Sequence, residues 1–309
     1  MRFLFLLVAA AAATLHAASP FAGRWNFTVN TPNGTRASWL GITEKNGTLE
    51  VWYQPTGGNV YRIEELKPDG HKLTLMLRAG ANAKAKPTWE LEATGKDKLT
   101  GVWKRGANNS TPLEGTRAPE LRRPMPKAWT KPEPIFNGKD LTGWEPIGTA
   151  ANSHWMVKDG SLVNATKGAN LKSTAKYQDF RLHFEVNYPD HANSGFYLRG
   201  RYELQLESEP PAANPPERRM GSIYGRIAPK GDLPRQIGVW DSFDVTLVGR
   251  TLTVIRNGVM TMEAVEIEGP TGGAIDGNEA EPGPFYIQGD HTGGLQFRNI
   301  TVSVPKGAR

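Results

Sequence analysis

The sequence predicts an all-β protein, a small antiparallel β-barrel followed by a larger two-sheet jelly-roll sandwich. Three observations predict it. Apolar residues recur with a period of two in short runs along most of the chain, which is the period of a half-buried strand. Clusters of Gly, Asn, Asp and Pro separate those runs. No long run keeps the 3.6-residue period of an amphipathic helix. At 309 residues, 38% of them hydrophobic and 22% charged, the chain has room for two globular domains.

Residues 1–18 read as an address. Met1-Arg2 supplies a short positive start, Phe3 to Leu15 is apolar, and Ala17, Ala18 and Ser19 are small. This is the pattern of a secretory signal peptide cleaved after Ala17 or Ala18. The run is short for a membrane span, which needs about 20 residues. The mature chain is therefore expected to be periplasmic or secreted, with no transmembrane segment. The sequence has no Cys. That excludes disulfides, thiol catalysis, Cys-based zinc sites and a lipoprotein anchor, so two hydrophobic cores must hold the fold.

Residues 19–118 carry the predicted barrel. GRWNFTV, RASWLGI, LEVWYQ, NVYRIEEL, KLTLMLR, TWELEAT and LTGVWK alternate, with PNG, KNG, TGG, PDG and GKD between them. Gly23-Arg24-Trp25 resembles the opening of lipocalin-like barrels, in which the Trp plugs one end. Residues 119–134 hold Pro119, Pro124, Pro126, Pro132 and Pro134 and read as a semi-rigid linker. The basic cluster Arg117, Arg122, Arg123 and Lys127 falls there. The formal charge of +6 is otherwise scattered, with no concentrated basic face, so nucleic-acid binding is excluded.

Residues 135–309 carry the predicted sandwich. In DFRLHFEVNY, Leu182, Phe184, Val186 and Tyr188 share one face, while Arg181, His183, Glu185 and Asn187 share the other. TLTVIRNGV runs into a tight Asn257-Gly258 turn. Two long loops, 210–238 and 263–284, are of a length that is usually functional or mobile.

Residues 135–144, IFNGKDLTGW, resemble the entry signature of the 3-keto-disaccharide hydrolase family. Further markers follow in order: NSGFYLR (193–199), YELQL (202–206), GSIYG (221–225), WDSFDV (240–245), RNGV (256–259), QGDH (288–291) and FRNI (297–300). The resemblance spans about 170 residues and leaves the N-terminal barrel outside it. It implies a concanavalin-A-like jelly roll acting on sugars oxidised at C3, by 1,2-lyase and hydratase chemistry without a redox cofactor. A C3 ketone acidifies the C2 hydrogen; a base removes it, the C1 substituent leaves, and water adds back.

Such a site needs a base, a group to hold the enolate oxygen, and an acid for the leaving group. The alternation in GRYELQLESE sets Glu203, Gln205 and Glu207 on one side of a strand and Tyr202, Leu204 and Leu206 on the other. His291, in the Asp290-His291 slot, is the expected base, because imidazole titrates near neutral pH. Glu203 and Glu207 are the expected acids. Arg199 is expected to hold the enolate or a sugar hydroxyl, with Gln205, Tyr224, Asn193 and Asp290 binding substrate. Asp241 and Asp244 read as structural caps, and His183 and His191 as structural or exposed. No transition-metal motif occurs, and the one conceivable ion is a calcium on Asp276, Glu279 and Glu281, which read otherwise as solvated acids.

Two further readings stay open. One is a non-catalytic, lectin-like carbohydrate-binding protein, since jelly rolls host both. The other is a retaining glycoside hydrolase using Glu203 and Glu207, because the row resembles the E-x-D-x-E strand of some jelly-roll glucanases with Gln in the middle. Positions 203 and 207 lie about 13 Å apart along a strand, and retaining chemistry wants carboxyls about 5 Å apart. A barrel binding a small apolar ligand would need an open interior, which nine Trp argue against. Oligomeric state is not encoded in any pattern found.

Overall fold

The computed structural model describes residues 19–31, 34–80, 85–106, 108–231, 233–234 and 236–307. The expected signal segment lies outside the described residues.

The N-terminal domain is one antiparallel meander. Its strands are Gly23–Thr31 (β1), Gly34–Lys45 (β2), Thr48–Gln54 (β3), Tyr61–Arg62 (β4) and Glu65–Asp69 (β5). Lys72–Met76 (β6), Thr88–Gly95 (β7), Lys98–Lys104 (β8) and Ser110–Arg117 (β9) complete it. They order as β4-β3-β2-β1-β9-β8-β7-β6-β5. The expected closed barrel is therefore a curled sheet with two ends, since β4 and β5 follow each other in the chain but do not pair. Pro68 explains one end, because a proline is tolerated on an end strand where no ladder donor is needed. The Asn46-Gly47 turn has φ of 52° and 75°, as a two-residue hairpin demands.

Trp25, Phe27, Tyr53 and Trp89 fill the concave side of that sheet, with Trp89 edge-on to Phe27 at 4.8 Å and to Tyr53 at 5.0 Å. Those rings occupy the space that a small apolar ligand would need. Trp25 is fully buried, its Nε1 donating to Phe21 O at 2.7 Å while Arg117 covers its ring.

The proline-rich segment does not float as a spacer. Glu133–Pro134 (β10) pairs with the last strand of the chain, and Leu121 O accepts from Arg250 N. Arg123 pairs with Asp179 and Arg122 with Glu266, so the basic cluster clips the segment to the second domain.

The second domain is the expected sandwich. Trp144–Pro146 (β11), Trp155–Lys158 (β12), Ser161–Asn164 (β13) and Leu171–Tyr177 (β14) come first. Phe180–Asn187 (β15), Asn193–Leu198 (β16), Tyr202–Glu207 (β17) and Asp241–Val248 (β18) follow. Thr251–Arg256 (β19), Val259–Glu266 (β20), Gly283–Ile287 (β21) and Gln296–Ser303 (β22) end it. One sheet runs β12-β13-β22-β15-β18-β19-β20, with β10 added beside β22; the other runs β11-β14-β21-β16-β17. Leu182, Phe184 and Val186 of β15 face Phe196, Leu204 and Phe285 of the second sheet, and Phe184 stacks on Phe196 at 4.5 Å. Each such side chain contributes about 1.5–3 kcal/mol on burial.

The 263–284 loop, expected to be functional or mobile, joins the two domains. Asn26 Nδ2 donates to Glu279 Oε2 at 2.8 Å, Gly277 N to Thr28 Oγ1 at 3.0 Å, and Arg24 pairs with Glu266. The calcium candidates are engaged there too: Asp276 accepts from Arg201 Nε at 2.7 Å, and buried Glu279 accepts from Tyr202 Oη at 2.6 Å. No cluster of three acidic or histidine ligands exists among the described residues.

Candidate active site

The polar side of β17 is not a wet outer face. Glu203, Gln205 and Glu207 are only 3–4% exposed, while Tyr202, Leu204 and Leu206 enter the sandwich core as alternation requires. The cover comes from the 210–238 loop, which runs back along β17. Gln205 N donates to Ser222 O, Gly221 N to Gln205 O and Tyr224 N to Glu203 O. On the other flank β16 pairs Asn193 with Glu207, Gly195 with Gln205 and Tyr197 with Glu203. Gly195 has a steric reason to be glycine, since a Cβ there would sit 2.4 Å from Glu203 Oε1.

Between these covers lies a cavity of about 300 Å³. Glu203, Gln205, Glu207, Asn193, Tyr224, Asp290 and His291 all line it, so seven of the eight expected site residues converge. The eighth, Arg199, does not. Arg199 and Gly200 both have positive φ, 54° and 68°, and the turn they form swings residue 199 off the β16 parity. Its guanidinium is fully buried, donating to Gly249 O at 2.6 Å and Tyr202 Oη at 3.2 Å. Arg199 is a structural residue, and the expected assignment to substrate is corrected.

The two glutamates differ. Glu207 accepts from Glu209 N at 2.7 Å and Met220 N at 2.9 Å, which ties the first half of the covering loop to β17. Burial still pushes its carboxyl above the ordinary range. Among the described residues no backbone N–H donates to the Glu203 carboxyl; burial, opposed by the bond from Tyr197 and helped by the charge of Asp290, lifts its pKa from 4.5 to about 8. Tyr197 Oη donates to Glu203 Oε2 at 2.8 Å, lies 2.6 Å from Gly272 O, and accepts from Gln288 Nε2 at 3.0 Å.

Residues 131–303 match the family model of the 3-keto-alpha-glucoside-1,2-lyase-like domain. The chain belongs to this family. The fold and the converged polar pocket are those of a carbohydrate-active enzyme of this kind. Among solved structures, the chain is similar to a candidate glycosyl hydrolase of Parabacteroides distasonis ATCC 8503, with 28% identity over 59% of this chain and 93% of that one (TM-score 0.48). A second such protein of that organism matches at 19% identity over 56% and 92% (TM-score 0.46). A non-specific endo-β-1,3(4)-glucanase of family GH16 matches at 9% identity over 60% and 94% (TM-score 0.36). No curated protein matches the chain.

In this lyase-like domain the family marker QGDH forms a rigid rim. Asn170 Oδ1 accepts from Gly289 N at 2.8 Å and Asp290 N at 3.2 Å, and its Nδ2 donates to Asp290 Oδ2 at 3.3 Å. Asp290 Oδ1 holds His291 Nδ1 at 2.7 Å. Burial pushes Asp290 up, but the bonds from His291 and Asn170 outweigh it and hold the carboxyl low. Asp290 Oδ1 engages Nδ1, so Nε2 is the ring nitrogen that Asp290 does not hold. His291 is 43% exposed at the cavity mouth. Gln205 and Gln288 both line this cavity, and each has a buried amide oxygen with no hydrogen-bond partner among the described residues.

The residues read as structural behave so. Asp241 is fully buried with Arg256, Tyr188 Oη and Asn257 Nδ2, and Asp244 binds His183 Nδ1 at 2.8 Å on the solvent face. His191 is exposed and bonds Glu209. Sequence reasoning missed Tyr197 and Gln288, although Tyr197 shares the parity of Asn193 and Gly195, and Gln288 begins a quoted family marker. It also missed Arg36 and the Thr56–Gly58 turn, which line the cavity from the other domain and which no local pattern announces.

Proposed function

We propose that this protein cleaves 3-keto-glucosides by β-elimination at C1–C2, followed by addition of water. The observation that carries it is that one cavity is lined both by His291, held at Nδ1 by Asp290, and by Glu203, whose carboxyl burial lifts to about 8. His291 Nε2 takes the C2 proton and the electron pair moves toward the C3 oxygen. The enolate then re-forms the C3 carbonyl, C1=C2 forms, and the C1–O bond breaks. Glu203 gives its proton to the departing oxygen, so the aglycone leaves as an alcohol. In the second half Glu203, now ionised, takes a proton from water attacking C1, and His291 returns a proton to C2, which yields the free 3-keto sugar. Gln205, Gln288, Asn193 and Tyr224 hold the ring hydroxyls. Export of the mature chain, expected from residues 1–18, places the reaction outside the cytoplasm in this proposal.

The retaining-hydrolase reading is disfavoured because Glu207, its nucleophile or partner acid, has both oxygens occupied by backbone amides. A lectin has no use for a neutral buried acid facing a base. The test is incubation of purified protein with p-nitrophenyl 3-keto-α-glucoside and, separately, with the unoxidised glucoside. Release from the keto substrate alone is expected. Equal release from both, or binding without release, would overturn the proposal.

A further inference from the structure

The elimination needs a group at the C3 oxygen as negative charge builds there, and Arg199 is elsewhere. We infer that Arg36, carried by the N-terminal domain, holds that oxygen, so that the catalytic pocket is complete only with both domains docked. The inference rests on the elimination reading above.

Arg36 lies on β2 and lines the same cavity as Glu203, Asp290 and His291. Its position is fixed by its neighbour, because Ala37 N donates to Ala274 O across the domain boundary at 2.8 Å. The turn beside it is fixed as well. Buried Gln54 donates to Pro55 O at 3.1 Å and Gly58 O at 2.7 Å. Gly273 N in turn donates to Thr56 O at 3.1 Å. Packing there is so close that a Cβ on Gly272 would stand 2.2 Å from Gly58 O. Gly272 O of the same glycine pair lies 2.6 Å from Tyr197 Oη, so the N-terminal domain braces the strand that sets the acid.

Arg36 is half-buried and donates Nη1 to Thr35 O at 2.9 Å. Among the described residues no carboxylate forms an ion pair with it, which leaves its charge for a ligand. That charge reaches Tyr286, which stacks on Tyr197 at 4.1 Å. The other guanidinium lining the cavity, Arg218, is drawn to Tyr224, 5.7 Å above its ring. The part of Arg36 is to bind the oxygen while His291 carries the C2 proton.

The test compares wild type with R36M and R36K on p-nitrophenyl 3-keto-α-glucoside, and follows C2–H exchange in 1-deoxy-3-keto-glucose, which has no leaving group. R36M should lose about 10²–10³-fold in kcat with KM within threefold, as for removal of an oxyanion donor. Exchange should fall in parallel, and millimolar guanidinium ion should restore part of both. R36K, which keeps the charge without the fork, should fall between. A kcat for R36M within threefold of wild type overturns the inference and leaves the elimination reading standing. A wild-type protein inactive on every 3-keto-glucoside overturns both. If R36M does not fold, R36K decides: a loss of at least tenfold supports the role, and full activity overturns it.

Discussion

In the proposed elimination Glu203 and His291 divide the chemistry, and each can be addressed separately. Glu203→Gln keeps a neutral side chain within hydrogen-bond reach of Tyr197 Oη but cannot protonate a leaving group. Turnover of sugar or alkyl aglycones should fall by about 10²–10⁴-fold, while p-nitrophenol, which leaves without help, should be released within about tenfold of the wild-type rate. Wild-type kcat on poor leaving groups should fall as pH rises through about 8, where Glu203 ionises. Stability follows the same proton. Folded Glu203 keeps it to about 8 while an unfolded glutamic acid loses it near 4.5, so the contribution is complete below 4.5 and is lost between 4.5 and 8. Thermal melts across that window should show a decline on the order of a few kcal/mol that Glu203→Gln abolishes. The carboxyl row and the Asp290-His291 pair were legible in the sequence because alternation and an ordered family signature both act locally. Arg199 was misplaced because strand parity does not survive two consecutive left-handed residues. Arg199→Met should cost about 1–3 kcal/mol of stability by leaving Gly249 O without its buried donor, with kcat of the folded variant near wild type.

At the scale of elements, β17 is an end strand made interior by a loop. Its polar side is covered only because the 210–238 segment adds backbone hydrogen bonds along it, and Glu207 ties that segment at residues 209 and 220. Glu207→Ala should therefore loosen the loop. Limited proteolysis within residues 209–220 should accelerate and KM should rise, with kcat falling less than tenfold. Complete loss of turnover with an unchanged loop would instead mark Glu207 as a catalytic acid or nucleophile. The strands themselves were readable from period-two alternation, and the Asn46-Gly47 and Asn257-Gly258 turns from the φ > 0 conformations that such pairs adopt. The closure of the first domain was not readable. Whether a meander pairs its end strands depends on non-local geometry, and here the short β4 and the proline in β5 leave it open.

At the scale of the whole molecule, the segment at 263–284 is the link between the two sheets' architecture and the site. Its acids face Asn26, Arg24 and Arg201, and its glycines 272 and 273 meet the Thr56–Gly58 turn at the cavity wall. From sequence alone it looked like a solvated loop, since its partners lie some 250 positions away in the chain. Docking thus gathers Arg36, Glu203 and His291, from three different parts of the chain, around one cavity, where the proposed reaction assigns them the parts of cation, acid and base. The claim that proton abstraction at C2 starts the reaction is tested most directly by running turnover in D₂O and reading the released 3-keto sugar by NMR. The account predicts solvent deuterium at C2 of the product, above the enzyme-free exchange rate and absent with His291→Asn. Product released at the wild-type rate with its C2 protium retained would contradict it.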